Sequence, residues 1–418
     1  MIFLGISSEI FLILVFILSF NFQNVLLKDY LGTIGAAGIN YFFPLVILGL
    51  LNFFVVKKDK VNYLDKKIGS FFIYMFIVSM AYVIYVAVGG LATDLYGENF
   101  FIKSFKLILY NVIGFLSIGY FSRIISKVSR ESVKKLLNIN FIFIFIVFMI
   151  EKLQNIERIK LLTSEPSEAG YILTIFYILL LSYNKRDKSY FLIGLSTLVY
   201  LVELYYIGSK GAIVCFFISL GFFCILTMKF TFKRIILSLF LFGINLFVLR
   251  YFFYEKLSAS IMNDLKYFTS VITRSWSVLT SLKIFSHNIF GVGGTYLFYF
   301  EKEGTLIQNI LENKFNLLNY TEIKYSLETG HGMSPKSGIF MDIILYGIGS
   351  IYFYIAICKY FYKGLVDSKV LKLLLIFTML SMLIFIDKYM TPTYILVFTI
   401  LQSEILRNED IEEEQLLC

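Results

Sequence analysis

Apolar runs, each about as long as a bilayer is thick, recur along the chain with short polar breaks between them. They fall at about 2–20, 36–56, 69–88, 105–122, 136–151, 168–183, 189–207, 211–228, 235–250, 337–358, 373–386 and 392–407. A helix needs roughly 20 such residues to cross about 30 Å of hydrocarbon. Backbone polar groups in lipid must be bonded within their own segment, so the runs predict helices. The fold class expected is therefore all-α, a polytopic helical membrane protein with about 12 transmembrane helices. The first run lacks a basic leader and a small-residue cleavage site, so it reads as a retained span.

Basic residues punctuate alternate breaks, at 57–67, 123–135, 185–188, 229–234 and 359–372. The breaks between them are sparser, with Lys28, Lys103, Lys152, Lys210 and Lys388 among their cations. Positive charge favours the cytoplasmic side, which places both termini there, in the cell membrane's inner compartment. The acidic stretch Asn408–Gln415 then reads as a solvated cytoplasmic end.

One segment breaks the rhythm. Residues 251–336 separate the first nine spans (1–250) from the last three and the tail (337–418), and the orientation puts this large loop outside. Loops so long are usually functional or disordered, and this one is patterned. Trp276, Leu279, Leu282 and Phe285 recur at three-residue steps within Thr273–Ser286, which predicts a helix lying on a membrane or protein face. Thr305–Leu318 also carries helical spacing, and Gly291-Val292-Gly293-Gly294 predicts a turn between the two.

Composition sharpens this picture. Of 418 residues, 58% are hydrophobic and 16% charged, against roughly 25% charged in a soluble domain. A soluble enzyme and a disordered chain are excluded, and the net charge of +9 belongs to orientation-setting loops, not to nucleic-acid binding. The four cysteines show no CxxC spacing, and no His, Asp or Glu cluster stands at metal-ligand spacing.

Ionisable groups in or beside spans are costly and mark function by default. Lys210 sits in the very short connection Gly208-Ser209-Lys210-Gly211, and Glu203 lies about one turn before it. Arg250 ends the ninth span, Lys336 and Asp342 open the tenth, and Asp387 ends the eleventh. Each has a plain alternative, such as snorkelling to headgroups or pairing with a neighbour. Their shared depth beside the large loop instead suggests a cationic pocket for a phosphate or pyrophosphate. Glu165, which precedes the sixth span and is placed to cap it, and the loop histidines His287 and His331 complete the candidates.

Four stretches carry a family resemblance: SEPSEAG at Ser164–Gly170, YIGSKGA at Tyr206–Ala212, RSWSVLTSLKIFSHNIFGVGG at Arg274–Gly294 and HGMSPKSGIFMDIILYGIG at His331–Gly349. In this order, with the long outer loop, the chain resembles the O-antigen polymerase and ligase family, including Wzy-type capsule and O-antigen polymerases. The resemblance covers roughly the C-terminal 60% of the chain; the earlier spans match in hydropathy alone. The chain departs from the family pattern in carrying Lys210 where Arg is common, and His287-Asn288-Ile289-Phe290 where a proline follows the Asn.

The resemblance implies a GT-C-like, metal-independent, inverting glycosyltransferase without a cofactor. Its donor and acceptor would be oligosaccharides on undecaprenyl pyrophosphate, and its partners would include a chain-length regulator and a flippase. It implies that Lys210 and Arg274 bind the pyrophosphate, with His331 as base for the acceptor hydroxyl and Glu165 as second candidate. Arg250 and Lys336 join the pyrophosphate set by depth alone. Repeat-unit polymerase is the favoured activity. A ligase passing the glycan to another acceptor, or a transporter or flippase of the lipid-linked oligosaccharide, stays open.

Overall fold

A computed structural model describes residues 8–21, 63–89, 92–156, 158–163, 165–227, 243, 250–251, 270–315, 318–365, 368–388 and 392–417. Its helices are α1 (Ser8–Ser19), α2 (Tyr63–Gly89), α3 (Phe100–Lys127), α4 (Arg130–Leu153), α5 (Pro166–Arg186), α6 (Tyr190–Ile207) and α7 (Lys210–Thr227). The chain continues with α8 (Ser270–His287), α9 (Tyr296–Lys314), α10 (Thr321–Thr329), α11 (Gly338–Gly364), α12 (Lys369–Ile384) and α13 (Thr393–Leu417). A short antiparallel hairpin, β1 (Asp94–Leu95) with β2 (Glu98–Asn99), joins α2 to α3.

The described residues are thus almost wholly helical. Six helices, α2 to α6 and α11, are long and apolar enough to cross a membrane. The expected count of twelve is not reached among them: α1 and α7 are shorter apolar helices, and α12 and α13 fall outside the six. The run at 36–56, and all of that at 235–250 except Gly243 and Arg250, lie outside the described residues.

At the two extremes burial is opposite to apolarity. Among the six, α5 is the least apolar and the most buried, whereas α2 is the most apolar and largely exposed. A soluble core would reverse that order; lipid as solvent produces it, because apolar side chains need no shelter while polar ones do. Ile73, Phe76, Ile77, Phe105, Ile142, Phe191 and Leu198 accordingly stand exposed on α2, α3, α4 and α6. Inside, Phe71 stacks on Phe353 at 4.1 Å with Phe115 set edge-on to Phe353, and Tyr177 lies flat on Tyr200 at 4.0 Å. Close helix crossings use glycine: a Cβ on Gly114 of α3 would stand 2.9 Å from Ile395 of α13.

The two predicted loop helices form as α8 and α9, the second starting earlier and ending before its expected bound, and α10 is an additional helix. Trp276 is fully buried, donating its indole N–H to Gly304 O at 2.8 Å. Leu279 and Leu282 are exposed, and the inward face is made of Thr273, Ser277, Thr280 and Ser281. Small polar residues let helices approach closely and return their hydroxyls to the backbone, as Ser277 and Ser281 do here.

The glycine turn docks into α11. That helix breaks at Gly347 (φ 51°, ψ −135°), and the turn fills the break. Val292 N donates to Ile344 O and Ile348 N donates to Ile289 O, both at 2.8 Å. The backbone groups released by the kink are therefore bonded, which a break at membrane depth requires.

Candidate functional site

The two ends of the bundle differ in chemistry. At one end Glu404 of α13, almost fully buried, is held by Arg186 at 2.7 Å, Arg407 at 2.6 Å and Arg130 at 3.3 Å. Arg407 also donates to the carbonyls of Ile125, Ser126 and Val128, closing the C-terminus of α3. Each of the three arginines there is paired with Glu404. The opposite end gathers the predicted site residues.

The connection from α6 to α7 is built for closeness. Gly208 takes the left-handed conformation (φ 65°) that ends α6, and the Ser209 hydroxyl receives the Ala212 N–H at 3.3 Å. Lys210, half-buried, opens α7. The connection rests against the start of α5, where a Cβ on Gly170 would stand 2.5 Å from Ser209 Cβ. On its other side a Cβ on Gly211 would stand 2.6 Å from the ring of Phe385.

Phe385 begins the strap from α12 to α13, and this strap is the hub. Arg274 of α8, half-buried, donates from Nη1 to Phe385 O at 3.0 Å. Gly338 N donates to Ile386 O at 2.8 Å and Ser337 Oγ to Met382 O at 2.7 Å, so the start of α11, with Lys336 just before it, is tied to the same strap. Lys388 follows, almost fully buried, its ammonium 2.7 Å from both Asp342 Oδ2 and Asn111 Oδ1. Tyr354 also donates to Asp342. Burial pushes the Lys388 ammonium below its ordinary value, against the pull of Asp342.

Arg274 thus bonds the strap directly, while chain neighbours of Lys210 and Lys336, Gly211 and Gly338, approach or bond it. His331 and Glu165 lie at the same end without touching it. His331 is exposed after α10, its ring edge-on to Tyr325 at 6.3 Å. Its loop is held by Tyr96 of the hairpin, which donates to Glu301 Oε1 at 2.9 Å and to Leu327 O. Glu165 takes the position before α5 with extended backbone, but its side chain makes no capping bond. It instead accepts from Ser167 Oγ at 3.1 Å. Arg250 is exposed, with its surroundings outside the described residues. Glu203 is completely buried, and among the described residues neither carboxylate oxygen has a hydrogen-bond partner. His287 is exposed at the end of α8.

A protein of Klebsiella pneumoniae described as "Uncharacterized 49.5 kDa protein in cps region" is 28% identical to this chain over 263 residues, 61% of the chain and 59% of that protein. The chain thus spans about three-fifths of the length of the curated relative it matches. No family model matches, and no solved structure matches.

Sequence reading missed the pairing of Asp342 with Lys388, the bond from Lys388 to Asn111, and the Phe385 carbonyl. Asp342 and Lys388 each stood out as a charge at the edge of an apolar run, a cue to burial, but nothing in spacing says that residues so far apart in the chain will pair. A carbonyl has no sequence signature at all.

Proposed function

We propose that this chain is a bacterial polysaccharide polymerase, joining undecaprenyl-pyrophosphate-linked oligosaccharide repeat units by inverting glycosyl transfer at the outer face of the cytoplasmic membrane. The observation carrying this reading is the bond of Arg274 to the Phe385 strap, against which Gly211, next to Lys210, packs. Two cations at one end of an apolar bundle, one of them held by a backbone carbonyl, suit the diphosphate of a lipid-anchored donor. The relative's place in a cps region supports a capsule membrane protein, and the residues resembling polymerases supply the finer assignment. The basic punctuation of the opposite end supports an outward-facing site.

In this reaction the acceptor sugar's hydroxyl oxygen attacks the anomeric carbon, on the face opposite the leaving group. The bond from that carbon to the pyrophosphate oxygen breaks, and its electron pair departs with the lipid pyrophosphate. The hydroxyl proton passes to a base, His331 or, second, Glu165. Lys210 and Arg274 stabilise the charge growing on the pyrophosphate, and the bond to Phe385 O fixes the guanidinium before substrate arrives. Lys336 and Arg250 are secondary cations for the same group. A flippase delivering the donor and a chain-length regulator are the partners this reading calls for.

The test is glycan length in cells that depend on this chain. Arg274→Ala and Lys210→Ala should each reduce long polymers to single repeat units, with normal protein abundance in the membrane. Polymers of wild-type length with either substitution would remove that residue from the site. His331→Ala should slow turnover of a defined donor by about 100-fold or more; unchanged turnover would show that it is not the base.

A further inference from the structure

The connection between α4 and α5 forms a second feature at the same end. Leu161 and Leu162 both sit in the left-handed region (φ 49° and 65°), a costly conformation for branched residues. It is held by Glu151, whose Oε2 receives the N–H groups of Lys160 at 2.8 Å and Leu161 at 3.2 Å. Oε1 receives Leu162 N–H at 3.4 Å. Thr163 Oγ1 closes the turn onto the carbonyls of Lys160 and Glu165. Strain of this kind persists where surroundings over-determine it, and it concentrates at ligand sites.

What the strained turn shapes is a cavity of about 160 Å³, lined by Glu151, Ile156, Arg158, Lys160, Leu162 and Thr163. Arg158 and Lys160 are exposed and enter no ion pair among the described residues. The space equals that of about five liquid waters, enough for a small polar molecule. Its walls combine two cations, a carboxylate and a hydroxyl.

We propose that this cavity is a subsite for an acidic sugar, whose carboxylate meets Arg158 and Lys160 while its ring hydroxyls donate to Glu151. A carboxylate matches guanidinium and ammonium donors, and apolar Ile156 and Leu162 suit the C–H face of a ring. The same cations would attract a lipid phosphate, but Glu151 opposes a group that is anionic and has no hydroxyl to offer it. The cavity lies on the connection that leads into α5, whose Gly170 packs against Ser209. That the sugar belongs to the glycan being extended rests on the polymerase reading; recognition of a sugar acid does not.

The experiment is saturation-transfer NMR with the full chain in nanodiscs, using glucuronate and glucose as probes. Glucuronate should receive magnetisation and glucose should not. In the double variant R158Q/K160Q, glucuronate binding should weaken about tenfold or more, with the circular-dichroism spectrum unchanged. Equal signals from the two sugars, or glucuronate binding intact in the double variant, would overturn the proposal. So would phosphatidylglycerol nanodiscs abolishing the glucuronate signal that neutral-lipid nanodiscs support. Lys210→Ala should keep glucuronate binding while losing polymer, so the two readings fail separately.

Discussion

Lys388 and Asp342 are opposite charges with almost no exposure, 2.7 Å apart, and each alone would be intolerable in that setting. Their bond fixes the strap that carries Phe385. Asp342→Asn leaves a buried ammonium without its counter-charge and should destabilise the protein by about 3–5 kcal/mol. The double substitution Asp342→Asn with Lys388→Met should recover most of that loss, as read by denaturant unfolding in micelles. A double variant as unstable as the single one would show that the pair is not the organising contact. At Gly211 the clash of an added methyl with Phe385 should displace the ring and its carbonyl. Gly211→Ala is therefore expected to lower transfer by about tenfold or more while membrane levels hold; full transfer would detach Phe385 from the mechanism.

Among the elements, the broken helix α11 and the turn docked into it are the most demanding pairing. Gly347 has a backbone conformation that glycine alone tolerates, and a Cβ there would stand 2.0 Å from Ile289 O. Gly347→Ala should cost about 3 kcal/mol or more, whereas Gly69→Ala, where nothing lies within 4 Å, should be neutral or slightly stabilising. Thermal unfolding of the two variants makes the comparison, and equal midpoints would contradict the docked turn. The hairpin that holds the His331 loop gives a pH prediction. Burial, reinforced by Glu301, pushes the Tyr96 hydroxyl up to about 12. A raised folded value means stability present below the ordinary value near 10 and lost as pH rises towards 12. Amide exchange across 321–330 should therefore accelerate over that window, and Tyr96→Phe should remove the pH step. A step that survives in Tyr96→Phe would assign it to another group.

Over the whole molecule, what the sequence discloses follows from the solvent. Runs such as 69–88 and 105–122 are readable because lipid-facing residues must be apolar in every direction, and α2 and α3 form there. The stripe on α8 is split for the same reason, with Trp276 buried and its leucines outward. Leu279 and Leu282 face away from the bundle while Ser277, Thr280 and Ser281 face it. Lys210 is legible as a costly charge beside a span and Arg274 through the resemblance; the bond of Arg274 to the carbonyl of Phe385 is a property of the tertiary fold. Glu165 is correctly placed at a helix start, yet its carboxylate turns to Ser167 and leaves the cap unmade. The two charged ends differ: Glu404 and its arginines close one end, and Arg274 is bonded to the strap at the other.

The most direct measurement of the central claim is to incubate the purified, nanodisc-reconstituted chain with one defined undecaprenyl-pyrophosphate oligosaccharide and resolve the products. The account predicts a ladder of repeat units, with one undecaprenyl pyrophosphate released for each bond formed and none formed by Arg274→Ala. A donor that stays intact, or that merely crosses the bilayer without a new glycosidic bond, would contradict it.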